Sequence, residues 1–360
     1  MKRRIACVVG ARPNFMKMAP ILREIARRPG FEGKLIHTGQ HYSPEMSASF
    51  FDELGLPEPD FNLEVGSGTQ TGQTAAIMQR LEPVFGELRP DLVLVVGDVN
   101  STMAATLVAS KLGIRVAHVE AGLRSFDRAM PEEINRLVTD VLSDYLFASE
   151  PSGVANLLAE GVAREKVFLV GNVMIDTLLR SREKAAQSDV LDRLGVSPKG
   201  YAVATLHRPS NVDDPARLNA LLAMLAKIAE ELPVVFPVHP RTRGRIGDTA
   251  PGNGRLILST PLGYLDFLRL TSEARIVLTD SGGIQEETTI LQVPCLTLRE
   301  NTERPATIEQ GTNRLVGVNP PDILKAAQET LAGPGPTGRV PELWDGKASE
   351  RILDVLDRVV

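Results

Sequence analysis

The chain has 360 residues, of which 43% are hydrophobic and 24% are charged, and its formal net charge at pH 7 is -5. This composition is ordinary for a soluble globular protein of roughly two domains, and the scattered Lys and Arg residues do not form the basic stripe of a nucleic-acid-binding protein. Because the apolar runs are too short for a signal sequence or a membrane span, we predict a cytoplasmic protein with no membrane partner. The two cysteines, Cys7 and Cys295, exclude a disulfide framework and a Cys-x-x-Cys metal pair.

Short apolar runs alternate with longer helical patterns along the first half of the chain. Strands are predicted at 4–10, 34–38, 91–97, 114–118, 145–148 and 166–170, and helices at 14–28, 73–88, 101–112, 133–141 and 151–160. The run Leu-Val-Leu-Val-Val within 91–97 is typical of a strand buried on both faces. This alternation predicts a parallel, doubly wound sheet.

The same alternation restarts after a helix at 173–187 and a turn-rich segment at 195–200. Strands are predicted at 201–206, 234–238, 255–258, 275–279, 294–298 and 314–318, and helices at 214–232, 263–271, 282–291, 321–331 and 349–360. The predicted fold class is therefore α/β, with two Rossmann-like, doubly wound domains at 1–171 and 172–345. Since ligands of such proteins bind at strand ends and between domains, we expect the active site in the inter-domain cleft.

Charged side chains crowd the stretch 118–136, which directly follows a predicted strand. It contains the carboxylates Glu120, Asp127, Glu132 and Glu133 together with arginines and a histidine. Charged groups are rarely buried unless they are paired, and the strand ends of a parallel sheet are where ligands bind. A solvated loop with surface ion pairs is the plain alternative, but similar strand ends recur along the chain and favour a site.

Asp98 follows the most apolar strand of the chain. Asn100 and Ser101 are good helix caps that lie closer to the next helical pattern, so Asp98 is predicted to act at the strand tip. In the charged stretch, Glu132 and Arg136 are spaced for an i,i+4 pair on one helix face. That segment alone does not separate a surface pair from a site.

The first predicted strand turns into its helix through Gly10-Ala-Arg-Pro-Asn-Phe-Met-Lys17. This segment is neither a Gly-x-Gly-x-x-Gly loop nor a Walker loop, so a dinucleotide site is not expected in this half. Arg12 and Lys17 place two cations here, either at the ligand edge of the sheet or as solvated helix charges.

Histidines follow two predicted strands of the second half. His207 and Arg208 end the first of these strands, and His239 follows the next one. A lone histidine is more often structural, but this clustering at strand ends favours phosphate binding or proton transfer.

The clearest local signal is Thr279-Asp-Ser-Gly-Gly-Ile-Gln-Glu-Glu287. Ser281 is placed to cap a helix, and Gly282 and Gly283 leave backbone amides open to an anion at its N-terminus. Glu287 suits a ribose diol, and Arg304, after the next strand, suits a diphosphate. The sequence therefore predicts a nucleotide-diphosphate site in the second half.

Together these motifs resemble those of the non-hydrolysing UDP-N-acetylglucosamine 2-epimerases, nearly end to end. The matching segments are Gly-Ala-Arg-Pro-x-x-x-Lys17, His37-Thr-Gly-Gln-His41, Gly97-Asp98, His118-Val-Glu-Ala-Gly-Leu-Arg124, Pro131-Glu-Glu-x-Asn-Arg136, Gly171-Asn172, His207-Arg208, Pro237-Val-His239, Thr279-Asp-Ser-Gly-Gly-Ile-Gln-Glu-Glu287 and Thr302-Glu-Arg-Pro305. The resemblance implies a GT-B type fold whose C-terminal helix (346–360) rejoins the first domain. It also implies an isomerase that interconverts UDP-GlcNAc and UDP-ManNAc, through elimination of UDP to 2-acetamidoglucal and re-addition, with no cofactor and no metal.

The resemblance implies roles for particular residues as well. Asp98, Glu120 and Glu132 match the acid and base groups, and His207 matches a residue beside the departing diphosphate. The matching substrate-binding residues are Arg12, Lys17, Arg136, Phe267, Ser281, Gly282, Gly283, Glu287 and Arg304, with Phe267 beside uracil. The chemistry is consistent, because a carboxylate in a water-poor site can take the weakly acidic C2 proton and cations with helix amides stabilise the departing UDP.

Bacterial members of the family can bind a second UDP-GlcNAc as an activator, and they form homodimers. The matching activator positions are Gln40, His41, Gln73, Arg208 and His239. The chain departs from the family here, with Tyr42-Ser43-Pro44 after Gln-His and Gly72 where an arginine often stands. Activation by UDP-GlcNAc is therefore left open.

Other activities are also left open by the sequence. Asn14 replaces the commoner Glu, and Asn or Gln at this place occurs in relatives that act on UDP-2,3-diacetamido-glucuronate, although the segments 284–287 and 302–305 resemble the UDP-GlcNAc enzymes more closely. A hydrolysing 2-epimerase would release free ManNAc, and a GT-B glycosyltransferase would need an acceptor. A non-catalytic sensor of nucleotide sugars would not need Asp98, Glu120 and Glu132 together.

Overall fold

The computed structural model describes residues 2–39, 51–238, 240–246, 254–333 and 338–360. The chain divides into two compact units, one formed by Met1–Arg180 with Glu342–Val360 and the other by Ser181–Pro341. Each unit contains one parallel sheet with helices, which confirms the predicted α/β class with two doubly wound sheets. None of the helices in these described ranges is long and apolar enough to cross a membrane.

Helices and strands alternate along most of the described chain. Up to the start of the second unit they are β1 (Arg3–Val9), α1 (Arg12–Arg27), β2 (Phe31–His37), β3 (Phe61–Asn62), α2 (Gln70–Leu88), β4 (Leu92–Val96), α3 (Asn100–Lys111), β5 (Arg115–Val119), α4 (Pro131–Leu142), β6 (Tyr145–Ala148), α5 (Pro151–Ala159), β7 (Val167–Leu169) and α6 (Val173–Ala185). The remaining elements are α7 (Val190–Leu194), β8 (Ala202–Thr205), α8 (Pro209–Val212), α9 (Pro215–Ile228), β9 (Val234–Pro237), α10 (Pro240–Ile246), β10 (Leu256–Ser259), α11 (Tyr264–Ser272), β11 (Ile276–Thr279), α12 (Gly282–Leu291), β12 (Cys295–Thr297), α13 (Pro305–Glu309), β13 (Asn313–Leu315), α14 (Pro320–Ala332) and α15 (Ala348–Val359).

Both sheets reverse their strand order near the middle. The first sheet runs β3-β2-β1-β4-β5-β6-β7, and the second runs β10-β9-β8-β11-β12-β13. Every residue of β4 is buried, as expected for a strand covered by helices on both faces. Ligands of doubly wound sheets bind outside the carboxyl ends of the strands at the reversal point, which lies between β1 and β4 in the first sheet and between β8 and β11 in the second.

The C-terminal helix α15 belongs to the first unit and packs against α1. The carboxylate of Asp176, in α6, accepts hydrogen bonds from the backbone N–H groups of Ala348 (3.0 Å) and Ser349 (2.8 Å) at the start of α15. Burial, together with the nearby Asp345, raises the pKa of Asp176. Just before α15, the buried indole of Trp344 donates to the carbonyl of Ser149 at 3.0 Å, so side-chain contacts fix the start of this helix to the rest of the first unit.

The structure also corrects some local predictions. The short elements β3, α7, α8, α10 and α13 were not predicted. The N-cap of α3 is Val99 rather than Asn100 or Ser101. The reason is that Asn100 lies inside the first helical turn, where its side-chain amide donates to Gln73 Oε1 at 2.9 Å, a contact between two helices rather than a cap.

Candidate active site

Two residues with left-handed backbone conformations lie next to each other at the carboxyl edge of the first sheet. Gly97 (φ 66°) follows β4 just before Asp98, and Glu120 (φ 72°) follows β5. Residues other than glycine rarely adopt such a φ. Where they do, the surrounding structure holds the strained backbone in place, and such residues cluster at functional sites. Asp98 and Glu120 therefore leave neighbouring strands at the same edge of the sheet.

Glu120 is paired with Lys17, which α1 carries to the same edge. The two side chains are 3% and 7% exposed, and Lys17 Nζ contacts Glu120 Oε2 directly. The second oxygen, Oε1, is buried and has no hydrogen-bond partner in the described part of the chain. A buried carboxylate with one uncommitted oxygen is suited to accept a proton from a bound molecule.

Gly97 provides the space for this ion pair. A Cβ atom at residue 97 would lie 2.9 Å from Lys17 Nζ and 3.5 Å from Glu120 Oε2. Glycine is therefore required here both by its positive φ and by the close approach of the Lys17 ammonium group.

Asp98 is held by two residues of α4. Arg136 Nη1 lies 2.5 Å from Asp98 Oδ2, and the side-chain amide of Asn135 donates to the backbone carbonyl of Asp98 at 2.8 Å. Arg136 is almost fully buried and also pairs with Glu133 at 2.6 Å, so of the two alternatives that the sequence left open, a solvated surface pair is excluded for this arginine. The guanidinium lies between two carboxylates, which satisfies its charge in a buried position.

The loop that follows β5 is held by Glu133. Its carboxylate accepts from the backbone N–H and the hydroxyl of Ser125, both at 2.9 Å, and from the N–H of Phe126 at 3.0 Å. Burial would raise the pKa of Glu133, but the Ser125 hydrogen bonds and Arg136 outweigh it and hold that pKa below its usual value. Glu132, the neighbouring candidate, is half-buried at the first turn of α4.

His118 is a framework residue of this edge. It is fully buried in β5, with Nδ1 2.6 Å from Asp140 Oδ1 and Nε2 2.9 Å from the carbonyl oxygen of Gly97. Asp140 also accepts from Arg124 Nη1 at 2.7 Å, and Arg124 pairs with Glu160 at 2.7 Å. The ring therefore braces the turn that carries Asp98.

Asp140 remains ionised in this network. Burial alone would raise the pKa of Asp140, but the adjacent His118 and Arg124 outweigh burial and hold that pKa below its ordinary value. A charged partner network of this kind can occupy the protein interior because each charge has a counterpart within hydrogen-bond distance.

Asn14 has a structural role at the first strand–helix turn. Its side-chain Oδ1 accepts from the backbone N–H groups of Gly10 (3.3 Å) and Ala11 (3.2 Å), while Nδ2 donates to the carbonyl of Val96 at 2.8 Å. The amide is buried and connects the ends of β1 and β4. This residue, which departs from the commoner family pattern, thus sets the backbone of the site.

In the second unit, Asp280 organises the turn after β8. Its fully buried carboxylate accepts from the backbone N–H groups of His207 (3.1 Å) and Arg208 (3.0 Å) and from the side chain of Asn211 (3.1 Å). It also lies 2.6 Å from His207 Nδ1. Burial would raise the pKa of Asp280, but His207 and the other donors hold it below its usual value. The imidazole of His207 is 55% exposed.

The predicted anion site at the start of α12 is tightly packed. Ser281 occupies the N-cap position, although its side chain makes no cap hydrogen bond. A Cβ atom at residue 282 would lie 2.5 Å from Arg304 Nη1 and 2.8 Å from Glu303 Oε1, so glycine is required by close packing. Arg304 is buried and paired with both Glu303 and Glu286. A diphosphate contact from this guanidinium would therefore compete with existing carboxylates.

The other predicted contacts of the second unit differ in exposure. Phe267, Arg208 and Gly283 are half-buried, whereas Glu287 is buried within α12. Of the predicted activator residues, Gln73 uses its amide inside the first unit, donating to Gly66 O at 2.8 Å and accepting from Asn100. The predicted activator residues Gln40, His41 and His239 lie outside the described residues, as does the side chain of Arg12.

Sequence reasoning missed the buried partners that hold the candidate groups. Asp140, Asp280 and Glu303 were not singled out, although each contacts a candidate or a framework residue. Asp280 could have been found, because it lies inside the Thr-Asp-Ser-Gly-Gly motif. Asp140 could not, because the loop after β5 and most of α4 separate it from His118 along the chain and no local motif marks it. Among the described residues, no group of three or more His, Cys, Asp or Glu side chains is arranged to hold a metal ion.

Comparisons with known proteins identify the family of the chain. The family model for UDP-N-acetylglucosamine 2-epimerase matches residues 23–357. The UDP-N-acetylglucosamine 2-epimerase of Methanocaldococcus jannaschii is 43% identical over 98% of this chain and 98% of its own length. The UDP-2,3-diacetamido-2,3-dideoxy-D-glucuronate 2-epimerase of Pseudomonas aeruginosa is 39% identical over 99% of this chain and all of its own length.

Solved structures give the same relationship. The crystal structure of the M. jannaschii UDP-GlcNAc 2-epimerase in complex with UDP-GlcNAc and UDP has a TM-score of 0.92 at 43% identity and covers 99% of both chains. The UDP-GlcNAc 2-epimerase of Neisseria meningitidis, bound to UDP-GlcNAc, has a TM-score of 0.90 at 30% identity, covering 99% of this chain and 100% of its own. A UDP-glucosyltransferase from Polygonum tinctorium, at 14% identity and a TM-score of 0.60, shares the fold alone. The predicted GT-B type fold is thereby confirmed.

Proposed function

The chain belongs to the UDP-N-acetylglucosamine 2-epimerase family and is an isomerase of UDP-GlcNAc and UDP-ManNAc, and we propose that it works by eliminating UDP and adding it back. In the first step a base removes the C2 proton, the C1–O bond breaks, and a C1–C2 double bond forms in 2-acetamidoglucal as UDP leaves. In the second step a proton is returned to the opposite face of C2 and the UDP oxygen adds to C1. The sequence of steps is redox-neutral and uses no cofactor.

The proposal rests on two carboxylates that lie at the ends of neighbouring strands. Asp98 and Glu120 leave β4 and β5 at one edge, and each contacts a buried cation, Arg136 or Lys17. An epimerase needs one group to take a proton and another to return one from the other side, so two differently paired carboxylates suit the task. We assign Asp98, Glu120 and Glu132 as the acid and base candidates.

The second unit supplies the groups for the nucleotide in this proposal. The departing UDP gains negative charge as the C1–O bond breaks, so His207 and the backbone amides of Ser281, Gly282 and Gly283 stabilise that charge. The other proposed substrate contacts are Arg12, Lys17, Arg136, Phe267, Glu287 and Arg304.

Proton NMR of the protein with UDP-GlcNAc in D2O tests the reaction. UDP-ManNAc that carries deuterium at C2, with deuterium also entering UDP-GlcNAc, is expected. Free ManNAc together with UDP would instead identify a hydrolysing enzyme. Conversion without any deuterium entering C2 would refute the proton-transfer mechanism.

Substitutions test the assignment of the carboxylates. Asp98→Asn and Glu120→Gln should each lower kcat by at least about 100-fold, the usual range for a lost acid or base, while UDP binding persists. Asp127→Asn is the matched control, because Asp127 lies in the same charged stretch and its side chain accepts a local hydrogen bond from the backbone N–H of Ala129 at 2.9 Å. Full activity in both site variants would contradict the assignment.

The diacetamido-uronate is a second candidate substrate, favoured by the 39% identical relative that acts on it. Asn14 does not decide between the two, because its amide is committed to the backbone of Gly10, Ala11 and Val96. Measuring kcat/KM with both nucleotide sugars will rank them, and a higher value for the uronate would reassign the substrate.

The exposed apolar side chains of α4 concern the oligomeric state. We propose a homodimer formed through α4, whose side chains Ile134 and Val141 are 47% and 72% exposed, next to Phe126 at 78%, since exposed apolar patches of this kind mark interaction sites. Val141→Glu should then give a monomer in sedimentation experiments, and an unchanged mass would exclude this face.

Activation by a second UDP-GlcNAc is proposed through Gln40, His41, Gln73, Arg208 and His239. It predicts that added UDP-GlcNAc accelerates the conversion of UDP-ManNAc, and simple saturation by UDP-ManNAc alone would count against it. The expected cytoplasmic location can be tested by fractionation of cells.

A further inference from the structure

We propose that Asp280 is a positioning residue for the reaction, which acts through His207 by fixing the ring and its protonation pattern. The inference deepens the proposed function, because it rests on His207 facing the departing diphosphate. It begins from the contrast between the two side chains: Asp280 is fully buried, whereas the imidazole of His207 is 55% exposed.

The carboxylate of Asp280 is the centre of the turn that presents His207. It accepts from the backbone N–H of His207 (3.1 Å), the backbone N–H of Arg208 (3.0 Å) and Asn211 Nδ2 (3.1 Å), and it reaches His207 Nδ1 at 2.6 Å. Every one of these partners is a donor, which keeps the carboxylate ionised in a buried place. The same group therefore sets the backbone and the ring of one residue.

The aspartate is itself fixed by the junction of two neighbouring strands. The hydroxyl groups of Thr205, in β8, and Thr279, in β11, are 2.6 Å apart, and the Thr279 hydroxyl accepts from the backbone N–H of Ser281 at 3.0 Å. The backbone N–H of Asp280 donates to the carbonyl of Thr205 at 3.3 Å. Asp280 thus follows a hydrogen-bonded junction of β8 and β11, at the reversal point of the second sheet.

This geometry determines which ring nitrogen is available. The nitrogen that carries a proton is set by the hydrogen bond of the other nitrogen, so an ionised Asp280 keeps a proton on Nδ1. Nε2 is then the nitrogen that gains or gives up a proton, and in the protonated ring it donates to an oxygen of the departing diphosphate. No bond to Asp280 is made or broken.

The two histidine–aspartate pairs of the chain make different use of the same contact. In the pair His118–Asp140 the second ring nitrogen is held by the carbonyl of Gly97 and the imidazole is fully buried. In the pair His207–Asp280 the Nδ1 contact has the same length, 2.6 Å, but the ring is largely exposed. The first pair braces the fold, and the second leaves one nitrogen for a ligand.

A double-mutant cycle in the full-length protein separates positioning from simple structural support. We expect His207→Gln to lower kcat by about 100-fold or more, as for a lost proton donor, and Asp280→Asn to lower kcat by about 10- to 100-fold with KM for UDP-GlcNAc changed by less than about threefold. If Asp280 acts through His207, the double variant will be no slower than His207→Gln by more than about threefold. Losses that multiply in the double variant would overturn the proposal.

Histidine ring NMR provides a readout that does not depend on activity or on any aspartate variant. The chain has five histidines, so the spectrum of His207→Gln identifies the signals of His207. In the neutral ring of the wild-type protein we expect the proton on Nδ1 and the lone pair on Nε2. The opposite tautomer in the wild-type protein would refute the inference, even if Asp280→Asn does not fold.

These measurements also separate failure of the inference from failure of the proposed function. If the wild-type protein does not convert UDP-GlcNAc, the proposed function fails, whereas the tautomer still tests the contact between Asp280 and His207. If the wild-type protein is active and the losses multiply, only the inference fails.

Discussion

Replacing Gly97 by alanine adds one methyl group beside the ion pair of Lys17 and Glu120. The added Cβ would lie 2.9 Å from Lys17 Nζ, whereas ordinary contacts begin at 3.4 Å, so the ammonium group must retreat by the difference of 3.4 and 2.9, or 0.5 Å. The φ of 66° adds roughly 1–2 kcal/mol of backbone strain. Since a misplacement of about 1 Å can cost about 100-fold in rate, we expect a loss of about tenfold in kcat.

Gly113→Ala is the matched control for this substitution. Gly113 has nearly the same φ, 69°, in the same unit, but a Cβ atom there would meet no described residue within 4 Å. Both variants should lose about 1–2 kcal/mol from the backbone strain, which corresponds to several degrees in thermal unfolding.

Only Gly97→Ala should lose activity, measured as the initial rate of UDP-ManNAc formation at saturating UDP-GlcNAc. Equal kcat values for the two variants, within about twofold, would show that the position of the Lys17 ammonium group does not matter to the reaction. The account of the Lys17–Glu120 pair would then be refuted.

Three further predictions concern stability. The pKa of Asp140 is held below its ordinary value of 3.8, so its ionised form stabilises the folded protein above about pH 4, and this stabilisation is lost as the pH falls through the pKa of the folded state. The free energy of unfolding in urea should therefore be lower at pH 3 than at pH 7, and a pH-independent value would contradict this account. Asp176→Ala removes the cap of α15 and should cost about 1 kcal/mol, with faster hydrogen exchange at Ala348 and Ser349; unchanged exchange would exclude the capping role. Trp344→Phe leaves the Ser149 carbonyl without its donor and should cost about 1–2 kcal/mol in thermal or urea unfolding, whereas wild-type stability would show that the hydrogen bond is replaced.

The sequence was sufficient for the main elements of the fold because their signals are local. The buried run of β4 and the alternation of strands with helices follow from short stretches of residues, and their order defines a doubly wound sheet. The short helices α7, α8, α10 and α13 were missed, since segments of so few residues show no helical period. Their formation depends on the surrounding structure more than on their own pattern.

The candidate site was predictable to the level of residue types but not of partners. The charged stretch 118–136 indicated a site, yet the role of Arg136 became clear only when α4 brought it against Asp98 and Glu133. Likewise, the interpretation of Asn14 as a mark of substrate choice could not foresee that its amide joins β1 to β4. Contacts between residues far apart in sequence depend on how helices pack on the sheet, which a single sequence does not specify.

The return of α15 to the first unit has a consequence for synthesis on the ribosome. Residues 181–341 form a unit that is complete before 342–360 are made, whereas the first unit still lacks the helix that packs on α1 and the indole that bonds Ser149. The later part of the chain can therefore reach its native contacts first, although domains generally fold in order from the N-terminus. A premature stop after residue 341 would leave the second unit intact and expose apolar surface on the first unit. The proposed acid and base residues belong to that first unit.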